Sequence, residues 1–167
     1  LQREDTVSRE PYCYLKGYAN RNDAHHQTAS SDEGNGAFLA MSDALAKAGM
    51  SAGDVDYINV HGTGTGNNDM SESVALKRLF GDNVPPFSST KGFTGHTLAA
   101  AGGLEAVWSA LSIRHGIIWP NINHTTPMSG TGIVPEKEFR TGVPVTCVVS
   151  NSFGFGGNCS SVVFAKD

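Results

Sequence analysis

Val55-Asp56-Tyr57-Ile58-Asn59-Val60-His61-Gly62-Thr63-Gly64-Thr65 is the stretch whose reading decides the fold. Residues 55–60 read as a buried strand that ends at His61. A helix over 69–80 follows, with Val74, Leu76, Leu79 and Phe80 facing inward and Gly81 closing it. Strand, glycine turn and helix in succession form the unit of a layered α/β domain, in which ligands bind beyond the carboxyl ends of the strands. His61 stands at such an end.

Upstream, 12–18 alternates aromatic and small residues like a strand, and the polar stretch 20–35 reads as a long loop of the kind that often carries function. Phe38, Leu39, Met41, Leu45 and Ala48 recur at helical spacing over 36–48, with Gly49 at the helix end. Downstream, 86–88 is a short strand. Residues 97–114 form a helix of Ala, Gly, Leu, Val and Trp almost all round, which implies burial. Segments 143–149 and 161–164 are the last strands, flanking a glycine turn at 154–157. The order of strands and helices predicts an α/β domain with a largely parallel sheet.

With 167 residues, 39% of them hydrophobic, the chain is one globular domain able to bury a core. Its apolar runs fall well short of the ~20 residues a membrane helix needs, and Leu1-Gln2-Arg3-Glu4-Asp5 is no signal peptide, so a cytoplasmic setting is expected. Twelve basic against sixteen acidic side chains give a net charge of -4, with no basic run beyond Lys77-Arg78. Nucleic acid is therefore not an expected partner, and neither is an acidic protein docked on this chain's charge alone. The three cysteines, Cys13, Cys147 and Cys159, match neither a disulfide framework nor a metal pair, and His25, His115 and His124 show no ligand spacing.

The polar groups beside glycines carry the chemistry. Taken alone, His61 is either a ligand-facing group or a hydrogen-bonded structural residue. Gly62-Thr63-Gly64-Thr65-Gly66 suggests a nucleotide loop, but the fingerprint wants glycine at position 67, where Asn67 stands, and a helix opening directly from the turn. Ser88-Ser89-Thr90-Lys91 matches the SxxK motif of serine acylases. Pro85, Pro86 and Gly92 argue against the helix that motif requires, so a loop is expected. Lys91 and His96 flank a glycine turn before a helix whose N-terminal amides favour negative charge, although a solvated lysine and a capping turn account for the same pattern. Glu105, among Leu104, Val107, Trp108 and Leu111, is expected to be buried against Lys91 or a cation; a solvated helix edge is the alternative. The turn Phe153-Gly154-Phe155-Gly156-Gly157 offers adjacent amides for an oxyanion, and a hairpin explains its glycines as well.

As a combination, His61-Gly62-Thr63-Gly64-Thr65, Ser89-Thr90-Lys91 with Gly95-His96-Thr97, and Asn151-Ser152-Phe153-Gly154-Phe155-Gly156-Gly157 resemble the second half of the β-ketoacyl synthases. These are decarboxylating condensing enzymes of fatty-acid and polyketide synthesis, and the likeness is strongest to the elongating type that works on carrier-bound chains. The resemblance implies that residues 1–167 form one half of a thiolase-like fold, a mixed, mostly parallel five-stranded sheet covered by helices with the third helix buried. It implies that His61 and His96 stabilise the enolate left by decarboxylation, one of them also activating water for bicarbonate release, with Lys91 and Glu105 in support. Phe155 gates the acyl pocket, its amide helping the oxyanion hole. Thr63 and Thr65 hold the pantetheine arm, with Phe153, Gly154, His26 and Thr28 completing the substrate contacts; the last two lie on a mobile loop, Asp23 to Thr28. Asn59, Glu105, Ser150 and Asn151 occupy positions that bind a monovalent cation in some relatives.

The family's partners are acyl carrier protein, the preceding half of the synthase and a second copy of the enzyme. No cofactor is required beyond the carrier's phosphopantetheine. The nucleophilic cysteine belongs to the preceding half, none of the three cysteines here matches it, and the chain alone is expected to be inactive. Gly66-Asn67 replaces a proline-led pair, and Asn158-Cys159 replaces Thr-Asn. A noncatalytic partner akin to a chain-length factor is the alternative, against which the retained His61, Lys91 and His96 argue. A third reading is an unrelated glycine-rich ligand-binding domain.

Overall fold

The computed structural model describes residues 1–6 and 8–167. Its strands are β1 (Tyr14–Asn22), β2 (Tyr57–Asn59), β3 (Phe87–Ser88), β4 (Cys147–Gly154) and β5 (Asn158–Ala165). Its helices are α1 (Asn35–Ala48), α2 (Gly66–Phe80), the single turn α3 (Lys91–Thr94) and α4 (Ala101–His115). The strands form one sheet in the order β1-β5-β4-β2-β3. β2 is parallel to both its neighbours, while β5 is antiparallel to both of its own. The sheet is thus mixed in equal parts rather than mostly parallel, because β4 and β5 form a hairpin through the short turn Phe155–Gly157 and β1 returns antiparallel along its outer edge.

Period-two alternation assigns the faces. Ile58, Cys147, Val149, Val163 and Ala165 join Met41, Leu45 and Leu76 in the core between the sheet and α1 with α2. Tyr57, Val148 and Phe164 face the other way, with Ile113 of α4 and Ile118. The same parity sends Asn59 and His61 toward the α4 side of the sheet, where Tyr57 already lies.

Several boundaries differ from the sequence reading. β1, β4 and β5 run further, because the antiparallel ladder continues through polar pairs such as Asn22 with Asn158 at the solvent-facing end. α2 opens at Gly66 directly from the turn rather than at Asp69. One ground against a nucleotide loop therefore falls, while the missing glycine at 67 stands. Lys91 begins a helical turn rather than lying in a loop, but Ser88 belongs to β3, so serine and lysine do not share a helix. α4 begins at Ala101, after a 3-10 turn at Leu98–Ala100. The long segment between α4 and β4 carries no strand among the described residues. It is tied down instead by a bridge between Ile118 and Arg140 and by the Glu136 N–H donating to the Phe87 carbonyl at 2.8 Å.

α4 is only half buried in this chain, contrary to the expectation from its composition. The side against the sheet is Ala101, Glu105, Ser109, Ser112 and Ile113, whereas Leu104 and Val107 are 38% and 56% exposed. The helix thus buries three polar residues beside Ala101 and Ile113 and leaves Leu104 and Val107 outside, with exposed Phe93 stacked on Trp108 of the same helix. Such a patch promotes association. The isolated chain is expected to self-associate in light-scattering measurements, and Leu104→Glu with Val107→Glu is expected to return it to a monomer; a monodisperse unsubstituted monomer would contradict this.

Candidate active site

His61 leaves the end of β2 just before Gly62, whose φ of 39° and close approach to Ser89 exclude a side chain there: a Cβ would stand 2.7 Å from that of Ser89. The turn is held from below by Glu72 of α2. Its carboxylate accepts the His61 N–H and the Gly62 N–H, both at 3.0 Å, and the Asn151 amide at 3.0 Å. Burial raises the Glu72 pKa above the ordinary carboxylate value, against the pull of these hydrogen bonds and the Lys91 charge. Glu72 was not singled out in the sequence, although it sits one turn before Leu76 and two before Phe80, in the helix's inward stripe.

The His61 ring is buried between two others. His96 meets it edge-on at 5.4 Å and 84°, and Phe153 lies 5.4 Å away on another side. Burial, then the Lys91 charge and the neighbouring His96, push the His61 pKa down to about 3, so the imidazole is neutral through the working range. Its Nδ1 has no hydrogen-bond partner. His96 is exposed, and its Nδ1 accepts the Leu98 N–H at 3.1 Å, which places the proton of the neutral ring on Nε2. Leu98 reaches that bond with φ 54°, a left-handed conformation that costs about 1 kcal/mol for a branched side chain.

Lys91 forms a buried ion pair with Glu105 of α4, the side chains 7% and 3% exposed. The second Glu105 oxygen accepts from Ser152 Oγ of β4 at 3.3 Å. The reading of Glu105 as buried against Lys91 holds. Lys91, His96, Gly62, Thr63 and Glu72 share the wall of a cavity of about 550 Å³, which continues past Asn121, His124 and Ile133 of the segment after α4. Thr63 and Thr65 are joined hydroxyl to hydroxyl at 2.9 Å.

His26 and Thr28 stand on an exposed loop and bond each other, the Thr28 N–H donating to His26 Nδ1 at 3.1 Å. The loop is hooked to the glycine turn by Gly156 N–H donating to the Gln27 carbonyl at 2.7 Å. Phe155, 79% exposed, crowns that turn beside Gly154. The hairpin explanation of the glycines is therefore correct; the Gly156 amide is committed to Gln27, and the Phe153 ring at the end of β4 lies 5.4 Å from His61.

Asn59, Ser150 and Asn151 are buried, with Asn59 and Ser150 paired in register. Asn59 Oδ1 has no donor, so it fits a cation, and Ser150 is its neighbour across the ladder. Asn151 Oδ1 already accepts from Ser161 at 2.8 Å, and Glu105 is committed to Lys91. No cluster of three acidic, histidine or cysteine ligands occurs among the described residues. The thiols of Cys147 and Cys159 are buried, and that burial, with nearby carboxylates, pushes both up to about 12; burial raises Cys13 too. None has the lowered pKa of an activated nucleophile.

Comparison with known proteins gives the class. The family model for the β-ketoacyl synthase C-terminal domain matches residues 12–125. The chain belongs to that family of thiolase-like condensing enzymes. It is 42% identical over 159 residues to 3-oxoacyl-[acyl-carrier-protein] synthase 2 of Staphylococcus aureus, covering 93% of this chain and 38% of that one. It is 40% identical over 161 residues to the mitochondrial 3-oxoacyl-[acyl-carrier-protein] synthase of Arabidopsis thaliana, covering 93% and 35%. A type II polyketide ketosynthase solved with its acyl-carrier protein superposes with a TM-score of 0.88 at 33% identity, over 93% of this chain and 39% of that one. The chain thus spans little more than a third of the length of these relatives.

The ion pair and the neutral histidine each have a measurable consequence. Glu105→Leu is expected to strand a buried ammonium and destabilise the protein by about 3 to 5 kcal/mol, with much of the loss recovered in Lys91→Met/Glu105→Leu; denaturant midpoints check it, and additive losses would contradict it. Between the ordinary histidine value of 6.5 and about 3, the unfolded chain binds a proton at His61 that the folded chain refuses. Stability should therefore fall as pH drops from about 7 to about 5, and His61→Gln should flatten that slope.

Proposed function

We propose that this chain is the decarboxylating, enolate-stabilising half of an elongating β-ketoacyl-[acyl-carrier-protein] synthase, which condenses an acyl group with malonyl carried on acyl carrier protein. The observation that carries the reading is the edge-on pair of His61 and His96, 5.4 Å between ring centroids, beside a cavity walled by Lys91 and Thr63. At that separation one thioester oxygen can accept an N–H from each imidazole. Loss of carbon dioxide moves the C–C bond electrons into the malonyl thioester, and the resulting oxyanion rests on those two donors. The enolate carbon then attacks an acyl-cysteine thioester supplied by the remainder of the synthase, and the thiolate leaves. The Phe155 amide serves the second oxyanion.

Each neighbouring group has a part in that scheme. Lys91 disfavours protonation of His61, so the ring stays a hydrogen-bond donor rather than an acid. Glu105 neutralises Lys91 without reaching the substrate. The linked hydroxyls of Thr63 and Thr65 receive the pantetheine arm, and His26, Thr28 and, at the end of β4, Phe153 and Gly154 complete the substrate contacts in this reading. A monovalent cation held by Asn59 and Ser150, with Asn151 and Glu105 near it in the family pattern, would supply fixed charge to the strand ends; no step needs it. The reading requires no organic cofactor beyond the carrier's phosphopantetheine. It includes acyl carrier protein, the nucleophile-bearing half and a second copy of the enzyme as partners, in a cytoplasmic setting. No described helix is long and apolar enough to cross a membrane.

The test is intact mass of the full-length protein after incubation with an acyl-carrier-protein thioester, followed by malonyl decarboxylation in His61→Ala and His96→Ala. An acyl adduct on a cysteine outside residues 1–167, and a loss of roughly 10² to 10⁴ in decarboxylation rate for either histidine variant, are expected. A folded protein that takes up no acyl group would shift the reading to the noncatalytic partner subunit. Unchanged activity in both variants would remove the chemistry from this site.

A further inference from the structure

The segment that joins β1 to α1 is a closed loop fastened at several points. At its stem the Asp23 carboxylate accepts the Ser31 N–H at 2.6 Å, the Ser31 hydroxyl at 2.7 Å and the Gly36 N–H at 2.8 Å. Gly34, at φ 60°, lies so close on α2 that a Cβ would stand 2.3 Å from the Ser71 carbonyl oxygen. Arg78 of α2 donates to the Glu33 carbonyl and, at 2.8 Å, to Asn35 Oδ1. These contacts fix the ends of the loop; in its crown, 24–30, exposed over 24–28, the Ala24 N–H donates to Asn22 Oδ1 at 2.7 Å and two ties reach other turns. One is the bond from Gly156 to Gln27 in the glycine turn.

The other comes from Asn67. Its Oδ1 accepts the Ser30 N–H at 2.8 Å while its Nδ2 donates to the Ser30 carbonyl at 3.1 Å, so one side chain closes both backbone groups of one loop residue. Only an amide supplies a donor and an acceptor in that fork. Asn67 is the second residue of α2 and lies two past Thr65, so the clamp joins the loop to the threonine turn. Residues 27–30 therefore bridge two turns, the one carrying Phe155 and Gly156 and the one carrying Thr63 and Thr65.

We propose that Asn67 is a positioning residue for the thioester arm: its two-point clamp on Ser30 holds His26 and Thr28 in place beside the Thr63–Thr65 turn. The inference rests on the condensing-enzyme reading, and it gives a role to the residue at which the glycine-threonine motif departs from the family pattern. Asn67 contacts neither reacting atoms nor the core. Its loss loosens the entrance and leaves the histidine pair and the ion pair intact.

The experiment compares Asn67→Ala and Asn67→Asp in the full-length protein, by hydrogen exchange of a peptide spanning 24–33 and by steady-state kinetics with the malonyl thioester of acyl carrier protein. Alanine removes both bonds and should raise exchange of that peptide roughly fivefold to 150-fold, the range two net hydrogen bonds imply. The KM for the carrier thioester should rise by a similar factor with kcat within about twofold, the pattern of lost binding made equally in ground and transition states. Aspartate keeps the acceptor for the Ser30 N–H and loses the donor, so both readouts should fall between wild type and alanine. Because Asn67 is exposed, the melting transition should stay where it is. Unchanged exchange in Asn67→Ala overturns the clamp. Faster exchange with unchanged KM, or a fall in kcat alone, overturns the positioning role. A full-length protein that shows the exchange effect but no condensing activity overturns the functional reading, and with it the role of the clamp in catalysis.

Discussion

A single fully buried carboxylate sets the geometry on which the site depends. Glu72 accepts from consecutive backbone amides, His61 and Gly62, and from Asn151 on the neighbouring strand. Those amides would otherwise be orphaned where the chain leaves β2, and an unsatisfied buried donor costs about 1 to 3 kcal/mol. One side chain from α2 thereby fastens the strand end, the glycine turn and β4 into a unit. Asn151 is held in turn by Ser161 of β5, so the chain of bonds runs across three strands. The direction in which His61 points is a property of this unit, not of the histidine.

The opposite side of the sheet solves a different problem. α4 turns Glu105, Ser109 and Ser112 inward, and its polar groups are satisfied locally: both serines donate to carbonyls one turn back, and Glu105 takes Lys91 and Ser152. A buried ion pair gains little net stability over an apolar pair. Here it places a cation near His61 with its charge largely balanced, which favours the neutral ring while leaving no bare ammonium in the interior. The helix that carries this glutamate leaves Leu104 and Val107 exposed on its outer face. Phe93, Trp108, Trp119 and Phe139 extend that face as a run of aromatic contacts, from Phe93 on Trp108 at 6.0 Å to Trp119 on Phe139 at 5.5 Å.

What the sequence made legible follows from how local each signal is. The β2 strand, the inward side of α1 and the pairing of Lys91 with Glu105 rest on hydrophobic period and on the rule that a buried charge needs a partner. Their counterparts in the structure are where those rules put them. Strand lengths were less legible, because Asn20, Arg21 and Asn22 pair by backbone alone and their side chains carry no alternation. The start of α4 was missed for a similar reason. Leu98 adopts a left-handed conformation that nothing about leucine announces, and it does so to satisfy His96, a neighbour whose position only the fold determines. Glu72 escaped because the inward face of α2 was read from its apolar members alone. A carboxylate in register with Leu76 and Phe80 is the signal that was available.

The charge-handling groups and the thiols of this chain obey opposite rules. Burial, and then the Lys91 charge, lower the His61 pKa to about 3, while Lys91 and Glu105 are buried against each other as an ion pair. Cys147 and Cys159 are buried without compensation. Cys147 has only Met50 sulfur within reach, at 3.9 Å, and carboxylates nearby add to its burial in suppressing the thiolate. Cys159 faces Asp23 and Glu72 with the same result. Burial is the larger cause at Cys159, and the carboxylates that organise the loop and the histidine turn add to it. A condensing mechanism at this site therefore needs a thiolate brought to it on another segment, facing His61 and His96 from the open side of the cavity.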